Sequence, residues 1–252
     1  MTTPPNPLRR NGLTARGIGD DAAVGRALID YMLERVGRER EGLSLLDIGC
    51  GVRFAEAIAK YDMAFERYIG IELDTATIDY LKTHYSEPKF TFHQANQANA
   101  FYNPDGGHDF ARLAGELTGC ADLTCMFSVI THQNPDEARQ SFDLAHAATR
   151  PGGTLFFTAL IHGEGHAPFE SANPRGRTFD TISDEEKRAL KTKADAGEPY
   201  FEWAPDRPGF MSGYAQNALS DLARSSGWDV QSVSSPWAGD LPIQTSFVCE
   251  RL

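Results

Sequence analysis

The segment that most narrows the folds open to this chain is Leu45 to Ile58, LLDIGCGVRFAEAI, where an apolar run stops on a carboxylate and two glycines. The run has the length and flanks of a buried strand, and the residues from Phe54 onward have helical spacing. Gly49, Cys50 and Gly51 therefore form a strand-to-helix turn. Glycines there let the backbone approach a ligand closely, and the N-terminus of the helix favours negative charge. The next β-rich run, Arg67 to Leu73 (RYIGIEL), carries Glu72 at its end, 21 residues after Gly51. In a doubly wound sheet a carboxylate at that position accepts hydrogen bonds from both ribose hydroxyls of an adenosine. The two segments together predict a ligand that contains adenosine.

The surrounding pattern agrees with such a sheet. Asp20 to Val36 carries the apolar stripe of an amphipathic helix. Strand-like and helical stretches then alternate: Leu43–Ile48, Phe54–Tyr61, Arg67–Leu73, Thr75–Tyr85, Phe90–Phe92 and Leu123–Val129. Asn134-Pro135-Asp136-Glu137 starts a helix, with Asn as cap and Pro in the first turn, running to about Thr149. Pro151-Gly152-Gly153 is expected to turn the chain into a buried strand, Thr154 to Ile161. Tyr214–Ser226 reads as a helix, and Trp228–Val233 with Thr245–Cys249 as a closing antiparallel pair. Strands alternating with helices predict an α/β fold, a mostly parallel sheet covered on both faces. The rhythm breaks at 163–213, which holds six glycines and five prolines. Four segments follow: an arm and cap helix (1–42), a ligand-binding core (43–162), an inserted lid (163–213) and a core completion (214–252).

Composition limits the partners. The formal net charge of −11 disfavours a phosphate backbone as the main ligand, so no nucleic acid is expected. The longest largely apolar run, Leu155 to Ile161, is far short of the roughly 20 residues a spanning helix needs, so no membrane association is expected. The opening residues lack the apolar stretch of a secretory signal, and Cys50, Cys120, Cys125 and Cys249 form no CxxC pair. Both point to a reducing, cytoplasmic setting.

The turn also discriminates between adenosine cofactors. A dinucleotide fingerprint needs a third glycine so that pyrophosphate can lie on the helix, and here Arg53 and Phe54 occupy that room. Asp47 suits a cationic amino group and Arg53 suits a carboxylate. A ligand with ammonium, carboxylate and adenosine is S-adenosylmethionine.

In these residues the chain resembles the class I S-adenosylmethionine-dependent methyltransferases. The likeness lies in Leu45 to Gly51, in GIEL ending near Glu72, and in RPGGTLFF from Arg150 to Phe157. Asn99–Gly106 (NAFYNPDG) and Ser128–Pro135 (SVITHQNP) look like a bacterial subgroup acting on small molecules. The resemblance implies a seven-stranded sheet with its last strand antiparallel. It implies that Gly49, Cys50 and Gly51 line the methionine moiety, that Asp47 orients its amino group, and that Glu72 holds the ribose with Leu73 against the adenine. Asn96 stands where an acidic residue often meets the adenine amine, and Phe127 and Ser128 offer backbone contacts to the methionine amine.

On the acceptor side, His132 follows the fourth core strand, and its ordinary pKa of about 6.5 suits a general base. His162, Glu164 and His166 (IHGEGH) alternate, but the intervening glycines would make a loose chelate. A polar, substrate-facing loop without metal is the expectation. Trp203 and Tyr214, with other aromatics of 163–213, are expected to cover an apolar or aromatic small-molecule acceptor. The alternatives are a nicotinamide-dependent oxidoreductase, which would also use Glu72, and a domain that binds S-adenosylmethionine without catalysis.

Overall fold

The computed structural model describes residues 20–162, 184–202, 208–234 and 244–252. In chain order its elements are α1 (Asp21–Val36), β1 (Ser44–Ile48), α2 (Arg53–Lys60), β2 (Arg67–Glu72), α3 (Thr75–His84), β3 (Phe90–Gln94), β4 (Gln97–Asn99) and β5 (Asn103–His108). There follow α4 (Phe110–Glu116), β6 (Ala121–Met126), a single 3-10 turn (Ile130–His132), α5 (Pro135–Ala148) and β7 (Thr149–His162). The chain finishes with α6 (Asp184–Asp195), β8 (Tyr200–Glu202), β9 (Ser212–Ala215), α7 (Gln216–Ser225), β10 (Trp228–Ser234) and β11 (Thr245–Arg251).

Seven strands form one ladder in the order β10-β11-β7-β6-β1-β2-β3, in which β11 alone runs antiparallel to its neighbours. Alternation along each strand sends side chains to opposite faces. Leu45, Tyr68 and Phe156 pack with Ile29 and Met32 of α1, Phe54 and Ile58 of α2, and Ile78 and Leu81 of α3. Leu46, Ile48 and Phe157 pack with Leu113 of α4, Phe142 of α5 and Leu219 of α7. The fold is the doubly wound α/β architecture expected from the alternation. Its middle strands β1 and β6 are buried throughout because helices cover both faces.

Local chemistry sets the helix ends. The Asp20 side chain accepts from Ala22 N at 3.0 Å to start α1, and Gly37 ends it in the left-handed region at φ 65°. Asn134 and Glu137 form a full capping box at the start of α5, with Pro135 in the first turn.

Three stretches depart from the sequence reading. Pro151-Gly152-Gly153 does not turn the chain between two elements. It sits inside β7 as an irregularity, with Ala121 opposite Thr149 and Leu123 opposite Thr154. Gly152 adopts φ 71°, and a Cβ on Gly153 would lie 3.0 Å from the Asp122 carbonyl oxygen. Tyr214 belongs to β9, with α7 starting two residues later, because its ring is buried opposite Ile161 on the α5/α7 face. NAFYNPDG lies in the hairpin β4–β5. The Asn99 side-chain oxygen accepts from Phe101 N at 3.2 Å and Tyr102 N at 2.8 Å, tightening its tip. The short strands β8 and β9 dock on the far end of β7 and extend the sheet to nine strands.

Helices α1 and α2 cross closely at Gly25, where a Cβ would stand 2.4 Å from the Arg53 carbonyl oxygen and 3.1 Å from Ala57 Cβ. A backbone carbonyl yields poorly, so the overpacking cost of about 1–3 kcal/mol outweighs the ~1 kcal/mol that alanine gains in a helix. Gly25→Ala should lose about 1–2 kcal/mol in urea unfolding; an unchanged or raised midpoint would mean that the crossing relaxes freely.

Candidate functional site

The glycine turn is tied to the end of β2 by hydrogen bonds. Gly49 N and Cys50 N both donate to the Ile71 carbonyl oxygen, at 2.8 and 3.0 Å. Gly49 (φ 71°) and Gly51 (φ 50°) occupy the left-handed region, but their surroundings differ. A Cβ on Gly49 would meet Val129 Cγ2 at 2.6 Å, so packing as well as conformation requires glycine there. A Cβ on Gly51 would meet nothing within 4 Å, so this glycine opens onto free space. Beside it lies Glu72, buried at 6% exposure. One Glu72 carboxylate oxygen accepts from Gly51 N at 3.1 Å, and the other from Leu73 N at 2.7 Å and Asp74 N at 3.2 Å. Leu73 packs on the α4/α5 face next to it.

Asp47 lies on the opposite face of β1 from Leu46 and Ile48. It is buried, with one oxygen accepting from the Tyr68 hydroxyl at 2.8 Å and the other from the Cys125 thiol at 3.4 Å. Burial pushes its pKa up to about 7, against the downward pull of those two bonds and of the Arg53 charge. Arg53 opens α2, and burial lowers its pKa while the charges of Asp21 and Asp47 oppose that shift. Burial raises the Cys50 thiol well above its ordinary value, so it is an inert thiol in the core.

The carboxyl end of β6 carries a strained residue. Ser128 has φ 57°, rare outside glycine. The conformation is held by Ser128 N donating to Thr158 Oγ1 at 3.0 Å and by Gln244, whose Nε2 donates to Ser128 Oγ at 2.9 Å. The Phe127 ring turns to the α2 side, edge-on to Phe54 at 5.3 Å. Asn96 is exposed, and its side-chain oxygen accepts from Asn103 Nδ2 at 3.2 Å.

The two segments of the small-molecule resemblance meet here. Asn99 Nδ2 donates to the His132 carbonyl oxygen at 2.8 Å, stapling the hairpin tip to the 3-10 turn. The His132 ring stacks on Phe101 at 6.0 Å and stands edge-on to Tyr102 at 5.2 Å, while Phe210 packs on Phe101 at 5.8 Å. His132 Nδ1 lies 3.1 Å from the Gly209 carbonyl oxygen. A carbonyl can only accept, so Nδ1 carries the proton and the lone pair of the neutral ring resides on Nε2.

His162 ends β7 at 3% exposure, its ring 4.5 Å from that of Phe201. The Tyr214 hydroxyl donates to the Gln133 carbonyl oxygen at 2.7 Å and its ring lies in the core, which makes it a support for the 3-10 turn. Trp203, Glu164 and His166 lie outside the described residues. Thr158, Gln244 and Val129 were missed by sequence reasoning. Thr158 sits in an apolar stretch with no motif of its own, and Gln244 joins the site only through tertiary structure.

No protein-family model matches the chain, and no curated protein matches it in sequence. Solved structures of similar fold are mostly S-adenosylmethionine-dependent methyltransferases. One from Mesorhizobium loti is 16% identical and aligns over 88% of this chain and 96% of its own, with a TM-score of 0.53. The 1,6-didemethyltoxoflavin-N1-methyltransferase of Burkholderia thailandensis, solved with its substrate and S-adenosylhomocysteine, is 14% identical over 92% of this chain and 79% of its own, with a TM-score of 0.54. A geranyl diphosphate methyltransferase solved with its substrate and sinefungin is 10% identical over 90% of this chain and 78% of its own, with a TM-score of 0.53. The chain has the class I methyltransferase fold. No helix among the described residues is long and apolar enough to cross a membrane.

The raised Asp47 pKa predicts a pH dependence of stability. The folded state holds the Asp47 proton more tightly than the unfolded chain, so the contribution is full below the ordinary 3.8 and is lost as pH rises toward about 7. Asp47→Asn should flatten the stability–pH curve across that window, by an amount on the order of 2–4 kcal/mol. Parallel curves for both proteins in urea unfolding at stepped pH would remove the basis for a buried, proton-holding Asp47.

Proposed function

We propose that the chain is an S-adenosylmethionine-dependent methyltransferase acting on an oxygen or nitrogen of a small, apolar or aromatic molecule. The observation that carries this is the open approach at Gly51 beside the pinned, buried Glu72, at the carboxyl ends of adjacent parallel strands of a class I fold. The residues fit the cofactor. Gly51 leaves room for a close backbone contact, and Glu72 offers carboxylate oxygens to ribose hydroxyls beside Leu73 for the adenine. Asn96 keeps its role as partner of the adenine amine. The strained Ser128 and Phe127 hold the methionine end, with the buried Asp47 and the half-buried Arg53 behind the turn.

When bound, the cofactor supplies a methyl group already activated by a sulfonium, so the protein's main work is to align the nucleophile and exclude water. His132 acts as general base, its Nε2 lone pair set by the Gly209 carbonyl and its ring held between the hairpin aromatics. The segment 163–213, with Trp203, covers the acceptor, and His162 belongs to the acceptor side. Of the neighbours, the toxoflavin and geranyl diphosphate methyltransferases support a small-molecule substrate class. The net charge of −11 favours the same class over nucleic acid. We place the protein in the cytoplasm.

Calorimetric titration with S-adenosylmethionine, S-adenosylhomocysteine and NADH tests the reading. Binding of the first two and not of the third is expected. NADH alone would replace it with the nicotinamide-dependent alternative, and silence from all three would reject it. Glu72→Gln should weaken S-adenosylhomocysteine binding by roughly 10- to 100-fold, the worth of a charged hydrogen bond of about 1.5–3 kcal/mol. Equal affinity in a folded variant would refute the ribose contact. In an acceptor screen read by S-adenosylhomocysteine release, His132→Asn should slow transfer to a hydroxyl by about 10²–10⁴-fold with cofactor affinity unchanged. Undiminished turnover would assign the histidine to loop shape alone.

A further inference from the structure

Buried polar groups in folded proteins are nearly always hydrogen-bonded, and each exception asks for a reason. His162 is such an exception. Neither Nδ1 nor Nε2 has a hydrogen-bond partner among the described residues, although both are shielded from solvent. On β7 His162 shares a face with Leu160 and Thr158 by alternation. Thr158 is the residue that holds the strained Ser128, so this row leads from the carboxyl end of β6 outward to His162. Gly213 of β9 stands in register between Leu160 and Phe201. Phe201 stacks on the imidazole from the next strand.

We infer that His162 is the distal anchor of the methyl acceptor: it hydrogen-bonds an uncharged polar substituent of an aromatic molecule whose reacting end lies toward Ser128. The inference rests on the methyltransferase reading and sharpens its substrate class. The distance follows from the strand. Four residues from Thr158 to His162 span ~13 Å. That separation puts His162 too far from Ser128 to take a proton at the reacting atom. The charge follows from burial, which pushes the His162 pKa down to about 4, so the ring stays neutral at physiological pH. A neutral imidazole offers one donor and one acceptor, suited to a hydroxyl, an amide or a ring nitrogen. It offers no cation to a carboxylate or phosphate.

The test uses the whole protein with S-adenosylhomocysteine bound, that binding being measured first and separately. Its absence would defeat the methyltransferase reading itself, before the acceptor is considered. The probes are 1-naphthol, neutral near pH 7, and 1-naphthoate, of the same ring size but anionic. The wild type should bind 1-naphthol at least tenfold more tightly than 1-naphthoate, and naphthol should shift the His162 ring signals in a histidine-¹⁵N spectrum. His162→Phe should keep the S-adenosylhomocysteine affinity while losing roughly 3- to 12-fold in naphthol affinity, the range of one neutral hydrogen bond. It should also melt higher than the wild type, since it removes two unpaired buried nitrogens. Equal or better binding of naphthoate, no uptake of naphthol, unmoved His162 signals, or full naphthol affinity in His162→Phe would each overturn the inference. The ring signals, read on the wild type, decide the matter even if the variant fails to fold.

Discussion

Everything at the ligand-facing edge of this molecule hangs on the way the turn after β1 is bound to the end of β2. Gly49 N and Cys50 N share the Ile71 carbonyl, and Gly51 N reaches one residue further to the Glu72 carboxylate. The arrangement works only because two glycines adopt positive φ, one against Val129 and the other facing open space. Parallel strands cannot close on themselves through a short hairpin, so their carboxyl ends leave a crevice where the helices begin. In this chain those ends carry a pinned carboxylate and a glycine with open space before it, the pair that the proposed reading assigns to the cofactor.

Beneath the turn the polar chemistry changes character. Asp47 is enclosed with Tyr68 and Cys125, in a place where charge is costly and a shared proton is not. Its carboxyl therefore supports the turn from behind, whereas Glu72 faces the crevice. Both side chains share strand parity, Asp47 with Leu45 and Glu72 with Tyr68, and they differ in that Glu72 ends β2 beside Gly51 N. Asp47 points to the α1–α3 side with Leu45, while Gly49 and Gly51 have already left the strand. The two carboxylates are thus held differently, Asp47 by a hydroxyl and a thiol and Glu72 by three backbone N–H groups.

The alternation of strands and helices, the glycine turn, the capping box at Asn134 and the antiparallel closing pair were legible because each rests on a local rule: periodicity, a positive φ, a side-chain cap. The hairpin β4–β5 was not, since NPDGGH has no alternating apolar residues and is ordered by Asn99 and Asn103 side chains rather than by burial. The fate of Tyr214 was hidden for a different reason. Its segment has helical spacing, but pairing with Ile161 wins over local preference, and a tertiary contact of that kind leaves no trace in a single sequence. Within the site, Gly51 and Glu72 carry a readable motif, whereas the Ser128–Thr158–Gln244 cluster joins three residues that are far apart in the chain.

The two histidines differ in how the scaffold holds them. His132 is tethered through Nδ1, stacked on Phe101 and fixed by the hairpin, so its ring is oriented before any ligand arrives. His162 is the opposite case, a buried imidazole whose hydrogen-bonding capacity is unused among the described residues. An orphaned pair of nitrogens destabilises the folded state, and a phenylalanine would fill the same volume against Phe201 at no such cost. A chain under selection for stability alone has no reason to keep histidine there, whereas one that must tell a hydroxyl-bearing ring from a bare or anionic one does. On the proposed reading the base is prepared in advance and the selector is left unsatisfied, so that catalytic geometry is set by the scaffold and discrimination by the acceptor itself.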